Sequence, residues 1–142
     1  GFFDMLNIRL AKNGGILRSM ACAERAEELG LLYQLGCHVG ETGILSAAGR
    51  VAAALLKSPV YVDGSYDRYL LTENITEEDL SFGAGGSAPV VRTHGLGYTV
   101  DLHTLERFSE EVIRVDDLRI SRSTGTSVSK SLSTPTAGEG IT

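Results

Sequence analysis

The sequence predicts an α/β protein with parallel strands, and three observations support this fold class. Short apolar runs alternate with longer helical segments at a spacing of about 28 residues, which is typical of repeated strand–helix–strand units. The chain contains 17 glycines among 142 residues, and several of them follow the apolar runs as turn signals. A helix that connects two neighbouring strands joins them in parallel.

The first half of the chain supplies the first repeat unit. Residues 5–10 are the first strand candidate, followed by a turn at Asn13-Gly14-Gly15. From 16 to 29 the apolar residues recur every three or four positions, which predicts an amphipathic helix. Gly30 stands where a helix commonly ends in a left-handed glycine. Residues 31–35 are the second strand candidate.

The second unit follows the same order. Residues 42–57 are rich in Ala and Gly, which predicts a helix that lies close against a sheet. Ser58-Pro59 ends this helix, because the residue before a proline disfavours helical geometry. Residues 60–62 are the third strand candidate, and Asp63-Gly64-Ser65 is its turn.

The pattern changes after residue 70. We predict shorter elements here: a loop at 72–76, a helical turn at 76–80, a flexible segment at 83–88, a strand at 95–100, a helix at 103–108 and a strand at 112–115. From 121 to 142, 11 of 22 residues are Ser or Thr without apolar periodicity, which predicts a disordered tail. The predicted organisation is therefore 1–70, a βαβαβ portion; 71–120, a return segment; and 121–142, the tail.

Composition excludes several classes of protein. The formal net charge is −5, which argues against nucleic acid or an anionic membrane as the main partner. No run of eighteen apolar residues occurs in the sequence, so we expect no membrane span.

Cys22 and Cys37 form no C-x-x-C pair and are expected to be reduced thiols. The amino-terminal residues do not resemble a signal peptide, so we expect a cytoplasmic protein. The Gly14-Gly15 turn lacks the lysine and glycine pattern of a nucleotide loop.

Five segments, in order, resemble the enolase superfamily, most closely its muconate-lactonizing and dipeptide-epimerase branch. The resemblance covers about residues 4–108. Its segments are Asn7-Ile8-Arg9-Leu10-Ala11-Lys12-Asn13-Gly14-Gly15, Ala23-Glu24-x-Ala26-Glu27-x-x-Gly30, residues 36–41, Leu70-Leu71-Thr72-Glu73-Asn74-Ile75 and Gly95-Leu96-Gly97-Tyr98-Thr99-Val100-Asp101.

This resemblance implies that the chain supplies strands six to eight of a TIM-type barrel and a C-terminal return segment. Members of the superfamily remove the proton next to a substrate carboxylate, and a divalent metal, usually Mg²⁺, stabilises the enediolate. The family's metal ligands lie on strands three to five. By resemblance, the Mg²⁺ ligands are expected upstream of Gly1, and no metal ligand is expected within the chain.

The resemblance also selects candidate site residues. Arg9 occupies the strand-six position of the catalytic lysine, but a guanidinium stays protonated and is a poor base. It can instead bind or stabilise an anion. His38, at the end of strand seven, is a second catalytic candidate, although the family pattern assigns no role to a histidine at this position.

The strand-eight acid of the family falls near Gly64. Asp63 is therefore the third catalytic candidate, and Asp67 lies close by as a substrate-binding candidate. Glu41, before the second helix, is the other substrate-binding candidate. Each residue also has an ordinary structural explanation: turn formation for Asp63 and favourable charge at a helix start for Glu41.

The leading interpretation is part of a magnesium-dependent lyase or isomerase of the cycloisomerase, epimerase or dehydratase type. The alternative is a non-catalytic αβ interaction or scaffold protein derived from the same fold, which Arg9 in place of lysine favours. Three strand–helix units leave two open sheet edges. We therefore expect an oligomer, or an upstream fragment or second polypeptide that completes the barrel. The family resemblance also implies a small carboxylate as substrate.

Overall fold

A computed structural model of the protein describes residues 2–90, 92–116 and 119–124. The chain divides into two compact units, residues 1–105 and 106–142. This boundary divides the predicted return segment, 71–120, and assigns its larger part to the first unit.

The first unit is built on two parallel strands, as predicted. Strand β1 (Met5–Arg9) pairs with β2 (Leu32–Gly36) in a register that places Met5 opposite Leu32 and Arg9 opposite Gly36. Helix α2 (Ile16–Glu28) connects them, and Gly30 adopts a left-handed φ of 69° after its end. The predicted helix and its terminal glycine are thus confirmed, because the apolar periodicity reflects the face that packs on the sheet.

The chain departs from the prediction at the end of the first strand. The strand ends at Arg9, and Leu10 begins a one-turn helix, α1 (Leu10–Asn13). Gly14, with φ of 83°, caps this turn by donating its N–H to the carbonyl of Leu10. Leu10 is buried against Ala48 and Ala52 rather than extended in the sheet, so tertiary packing outweighs its strand-like context.

The second connection is α3 (Gly43–Leu55), which lies within the helix predicted over 42–57. The third predicted strand is reduced to one parallel bridge between Leu35 and Val62. The N–H of Leu35 donates to the carbonyl of Tyr61, and the N–H of Asp63 donates to that of Leu35. Pairing ends there because Gly64 (φ 137°) and Ser65 (φ 55°) turn the chain away.

Apolar packing covers one face of the small sheet. Ile8 and Tyr33 are buried with Ala23 and Ala26 of α2. A second cluster joins the sheet to α3 and consists of Leu10, Leu35, Ala48 and Ala52. Side chains alternate between the two faces of a strand, and on the opposite face Met5 is 41% and Leu32 55% exposed. One face of the sheet is therefore open.

The segment after the third strand holds short elements. Helix α4 (Asp67–Leu70) was not predicted, and Ala84–Gly86 form a 3₁₀ turn in the segment predicted as flexible. The helical turn predicted at 76–80 is wrong, because Thr76 forms an antiparallel bridge with Val100. Glu78 accepts hydrogen bonds from the backbone and side chain of Thr99. The strand predicted over 95–100 is correspondingly limited to that bridge.

Helix α5 (Leu102–Phe108) confirms the predicted helix at 103–108. The second unit contains a hairpin of β3 (Glu111–Asp116) and β4 (Arg119–Thr124), paired antiparallel. Strand β3 contains the predicted strand at 112–115. The predicted start of the tail, Ser121, falls within β4, and residues 125–142 lie outside the described residues.

Candidate functional site

The carboxyl ends of three neighbouring strands meet at one edge of the sheet. Arg9 is the last residue of β1 and lies opposite Gly36, the last residue of β2. Asp63 follows the bridge that joins the third strand to β2, and its N–H donates to the carbonyl of Leu35 at 2.8 Å. In parallel α/β proteins this edge is where ligands bind.

His38 and Glu41 belong to one turn beyond β2. The backbone N–H of His38 donates to Oε1 of Glu41 at 2.6 Å, and the N–H of Glu41 approaches the carbonyl of His38 at 3.4 Å. Both residues are half-buried. The Glu41 carboxylate therefore shapes the turn that leads from β2 into α3.

A cavity of about 270 Å³ lies between the third strand and α3, with residues 82–90 along its remaining side. Its wall is mainly apolar, and the apolar residues include Leu10, Leu35, Leu45, Val62, Phe82 and Val90. Its polar side chains are those of Cys37, Glu41, Ser46, Arg50, Asp63 and Ser65. Two predicted site residues, Glu41 and Asp63, are thus brought to one cavity.

Cys37 and Asp63 are in contact within this cavity. The Cys37 thiol lies 3.8 Å from Oδ2 of Asp63, within hydrogen-bond range for sulfur. Burial raises the pKa of the Cys37 thiol to about 11, and the negative charges of Asp63 and Glu41 add to the rise. Arg9 opposes it. The thiol is therefore a neutral donor at pH 7 and a weak nucleophile.

Arg50 crosses from α3 to the segment that lines the cavity. Its Nη2 donates to the carbonyl oxygens of Leu80, at 2.5 Å, and Ser81, at 3.0 Å. Burial lowers the pKa of its guanidinium. The side chain holds the 80–82 segment against α3 and so positions part of the cavity wall.

Asp67 lies in a separate, buried network. It is 2% exposed. One carboxylate oxygen accepts a hydrogen bond from Oγ of Ser46 at 3.1 Å, and the other accepts one from Nδ2 of Asn74. Asn74 in turn accepts the N–H of Gly43 at the start of α3, at 2.9 Å. This network fastens α4 and the 74–76 segment to the beginning of α3.

The predicted site residues therefore divide into three places. Glu41 and Asp63 line the cavity, Arg9 and His38 lie at adjacent strand ends, and Asp67 is enclosed in protein. Their catalytic and substrate-binding roles stay predictions.

Sequence reasoning did not single out Arg50, Asn74 or the contact of Cys37 with Asp63. Arg50 carried a usable signal, since it is the charged residue in the middle of an Ala-rich helix. The contacts of Asn74 with Gly43 and of Cys37 with Asp63 had no local signal, because the partners are 31 and 26 positions apart along the chain.

The described residues contain neither a metal-binding cluster nor a membrane-spanning helix. Within residues 2–90, 92–116 and 119–124, no group of three or more His, Cys, Asp or Glu side chains is arranged to hold a metal ion. No helix in those same ranges is long and apolar enough to cross a membrane.

The chain matches a known protein family over most of its length. Residues 1–104 match the family model described as enolase C-terminal domain-like. Among curated protein sequences, none matches the chain.

The fold of the chain also resembles the solved structures of several enzymes. An isomerase from Streptomyces coelicolor A3(2) is 32% identical, with a TM-score of 0.58. A muconate lactonizing enzyme and the muconate cycloisomerase from Pseudomonas fluorescens are each 27% identical, with TM-scores of 0.58 and 0.57. Each match covers 74% of this chain but only 27–29% of the other protein. The matched part of the chain thus spans less than a third of the length of each enzyme.

Proposed function

The chain belongs to the enolase C-terminal domain-like family, and from this premise we propose that it forms part of a lyase or isomerase of the cycloisomerase, epimerase or dehydratase type. The reaction would begin with removal of the proton next to a substrate carboxylate. In this proposal the chain contributes strands six to eight of the barrel and the return segment. The observation that carries it is the position of Arg9 and Asp63 at the carboxyl edge of the same sheet, with His38 in the turn beyond β2.

The residues described in this chain do not fit the Mg²⁺ ion that the family implies, since they contain no suitable cluster of ligands. By the family resemblance we propose that the ligands of the metal lie on barrel strands upstream of Gly1, and we derive no step through the metal.

Arg9 supplies an electrostatic contribution in this scheme. Loss of the α-proton moves negative charge onto the substrate carboxylate oxygens. A guanidinium binds such oxygens through two parallel N–H bonds and keeps its charge throughout the reaction. The base itself would come from outside the chain, with His38 and Asp63 as the titratable side chains at the same edge.

The exposed apolar residues on the open face of the sheet favour association with another polypeptide. Met5 and Leu32 are exposed there together with Tyr61 at 63%, and β1 leaves one edge of the sheet unpaired among the described strands. Exposed apolar strands of this kind associate. The proposed partner is an upstream fragment or second polypeptide that continues the barrel, or another copy of the chain.

The proposal is tested by exchange of the α-proton with solvent deuterium. The chain is combined with the preceding barrel portion of the Streptomyces coelicolor isomerase, and a panel of small carboxylates is followed by NMR in D₂O with Mg²⁺. Exchange that requires both parts is the expected result. A folded, associated complex that exchanges none of the carboxylates contradicts the enzymatic proposal.

A second candidate function is an interaction or scaffold protein that has lost catalysis. Arg9 favours it specifically, because a guanidinium replaces the lysine expected at that position and is a poor general base. The Arg9→Lys variant in the same exchange assay separates the two. An increase from an inactive starting protein to measurable exchange supports lost catalysis, and exchange in the unaltered chain supports the enzyme.

A further inference from the structure

The turn that follows Asp63 has a strained backbone. Gly64 has a φ of 137°, and Ser65 has a φ of 55°. Among the residues that the structure describes, Ser65 is the one residue other than glycine in this left-handed region, where a Cβ is unfavourable. Such a conformation persists only where the surrounding structure holds it. The contacts of Ser65 therefore bear on the position of Asp63.

Ser65 is held by the segment at residues 79–82. Ser65 is 5% exposed, and its carbonyl accepts the N–H of Phe82 at 3.3 Å. The N–H of Ser81 donates to Oδ1 of Asp79 at 2.9 Å, which shapes the chain just before Phe82. A backbone hydrogen bond thus links this segment to the turn of the third strand.

Arg50 fixes the same segment from α3. Its Nη2 donates to the carbonyls of Leu80 and Ser81, the two residues before Phe82. Its Nε is buried and has no hydrogen-bond partner among the described residues. Burial of an incompletely bonded cation is costly. Both of the carbonyls that Arg50 binds belong to the 79–82 segment, so this cost is offset at that segment rather than within α3.

The strained turn determines the direction of the Asp63 carboxylate. The N–H of Asp63 is fixed to the carbonyl of Leu35 at 2.8 Å, whereas the chain after Asp63 runs directly into Gly64 and Ser65. Oδ2 of Asp63 lies 3.8 Å from the Cys37 thiol. If the φ of Ser65 relaxed to the usual negative region, the carboxylate would move relative to the thiol.

We infer that Arg50 is a positioning residue for Asp63. The contacts run from the guanidinium to the carbonyls of Leu80 and Ser81, then from the N–H of Phe82 to the carbonyl of Ser65, and through Gly64 to Asp63. Any effect of Arg50 on catalysis rests on the proposed function, whereas its effect on the position of Asp63 does not.

The test uses the Cys37 thiol as a reporter of Asp63, in the full chain with Cys22→Ser. Arg50→Met removes the donors and the charge but keeps a long side chain. We expect the pH midpoint of alkylation by iodoacetamide to fall by roughly half or more of the fall that Asp63→Asn causes, because the carboxylate leaves the thiol. Loss of the cation alone would act in the opposite direction, since a positive charge stabilises a thiolate. Arg18→Gln, at an exposed cation on α2, should leave the midpoint in place.

Ser65→Gly tests the strained residue directly. Glycine occupies the left-handed region without the steric penalty of a Cβ. Once Arg50 is removed, a glycine at this position therefore has less reason than serine to leave the native turn. The double variant Arg50→Met with Ser65→Gly should recover most of the lost midpoint, which a general loss of stability would not do.

Amide hydrogen exchange measures the link in a second variant that keeps the charge. In Arg50→Lys the N–H of Phe82 should exchange at least about tenfold faster, because its segment is held less firmly. The N–H of Leu31, which donates to the carbonyl of Ala26 at 2.9 Å, should stay as protected as before. This measurement decides the matter even where Arg50→Met does not fold.

Three results would each overturn the proposal. They are a midpoint that stays or rises in folded Arg50→Met, no recovery in the double variant, and unchanged exchange of Phe82 in Arg50→Lys. Neither readout uses a substrate, so a lack of proton exchange in the carboxylate assay would contradict the proposed function alone.

Discussion

The Cys37 thiol lies 3.8 Å from Oδ2 of Asp63, and this contact joins the ends of two strands. A Cβ added at Gly64, which follows Asp63, would lie 3.2 Å from Cβ of Cys37. The close approach is therefore built into the backbone of the turn. It makes Cys37 a reporter of the charges at the strand ends.

The first prediction concerns the ionisation of this thiol. Cys37 has its pKa raised from an ordinary value of 9.0 to about 11, first by burial and then by Asp63 and Glu41. The pH dependence of alkylation by iodoacetamide, measured in a Cys22→Ser background, should have a midpoint near 11. Asp63→Asn should lower this midpoint, and Glu24→Gln should leave it in place. A midpoint near 9.0, the ordinary value for a thiol, contradicts the prediction.

The same shift predicts how stability depends on pH. A thiol with a raised pKa in the folded state holds its proton more tightly there than in the unfolded chain. Its contribution is fully present below the unfolded pKa, and it is lost as pH rises from about 9 to about 11. Urea unfolding across this range should show a decline in stability that is smaller in Cys37→Ser.

The second prediction concerns the buried carboxylate of Asp67. Asp67→Ala should destabilise the fold by about 2–4 kcal/mol, because the hydroxyl of Ser46 and the amide of Asn74 lose their acceptor in a buried place. Urea unfolding measures the loss. Asp4→Ala, at an exposed carboxylate, is the matched control and should change stability by less than about 0.5 kcal/mol. Equal effects of the two substitutions would rule out the network as a stabilising element.

The third prediction compares two glycines of helix α3. At Gly43 an added Cβ lies 2.1 Å from Oγ1 and 3.0 Å from Cβ of the buried Thr76, so Gly43→Ala should cost about 1–3 kcal/mol. At Gly49 nothing lies within 4 Å, so Gly49→Ala should stabilise by about 0.5–1 kcal/mol through helix propensity. Thermal unfolding should therefore shift in opposite directions, and a shift of the same sign contradicts the packing described for Thr76.

The fourth prediction concerns the hydroxyl of Tyr33, a residue that is 1% exposed. The hydroxyl donates to Oε1 of Glu27 at 2.8 Å and accepts the N–H of Ser58 at 3.2 Å. Tyr33→Phe should cost about 1–2 kcal/mol, because both partners lose a hydrogen bond. Tyr61→Phe, at a residue that is 63% exposed, removes the same group and should be nearly neutral in the same unfolding measurement.

Sequence patterns predicted the main helices and strands of the first unit because these elements depend on the chemistry of neighbouring residues. The three- and four-residue spacing over 16–29 predicted α2, and Gly30 predicted its end. The spacing of the units predicted the parallel pairing of β1 with β2. The predicted secondary structure was wrong where packing against distant residues competes with local preference. Leu10 begins helix α1 instead of extending the strand, and Thr76 pairs with Val100 instead of starting a helical turn.

The sequence by itself determined the α/β class, the order of the principal helices and the family resemblance, since periodicity, turn residues and motif order are all local. Only the tertiary structure decided which side chains meet. It brought Asp63 into contact with Cys37, placed Asp63 and Glu41 on the wall of one cavity, and enclosed Asp67 between Ser46 and Asn74. The reason is physical: burial and electrostatic neighbours arise from the packing of segments that are distant in the chain, and the composition of each segment does not specify them.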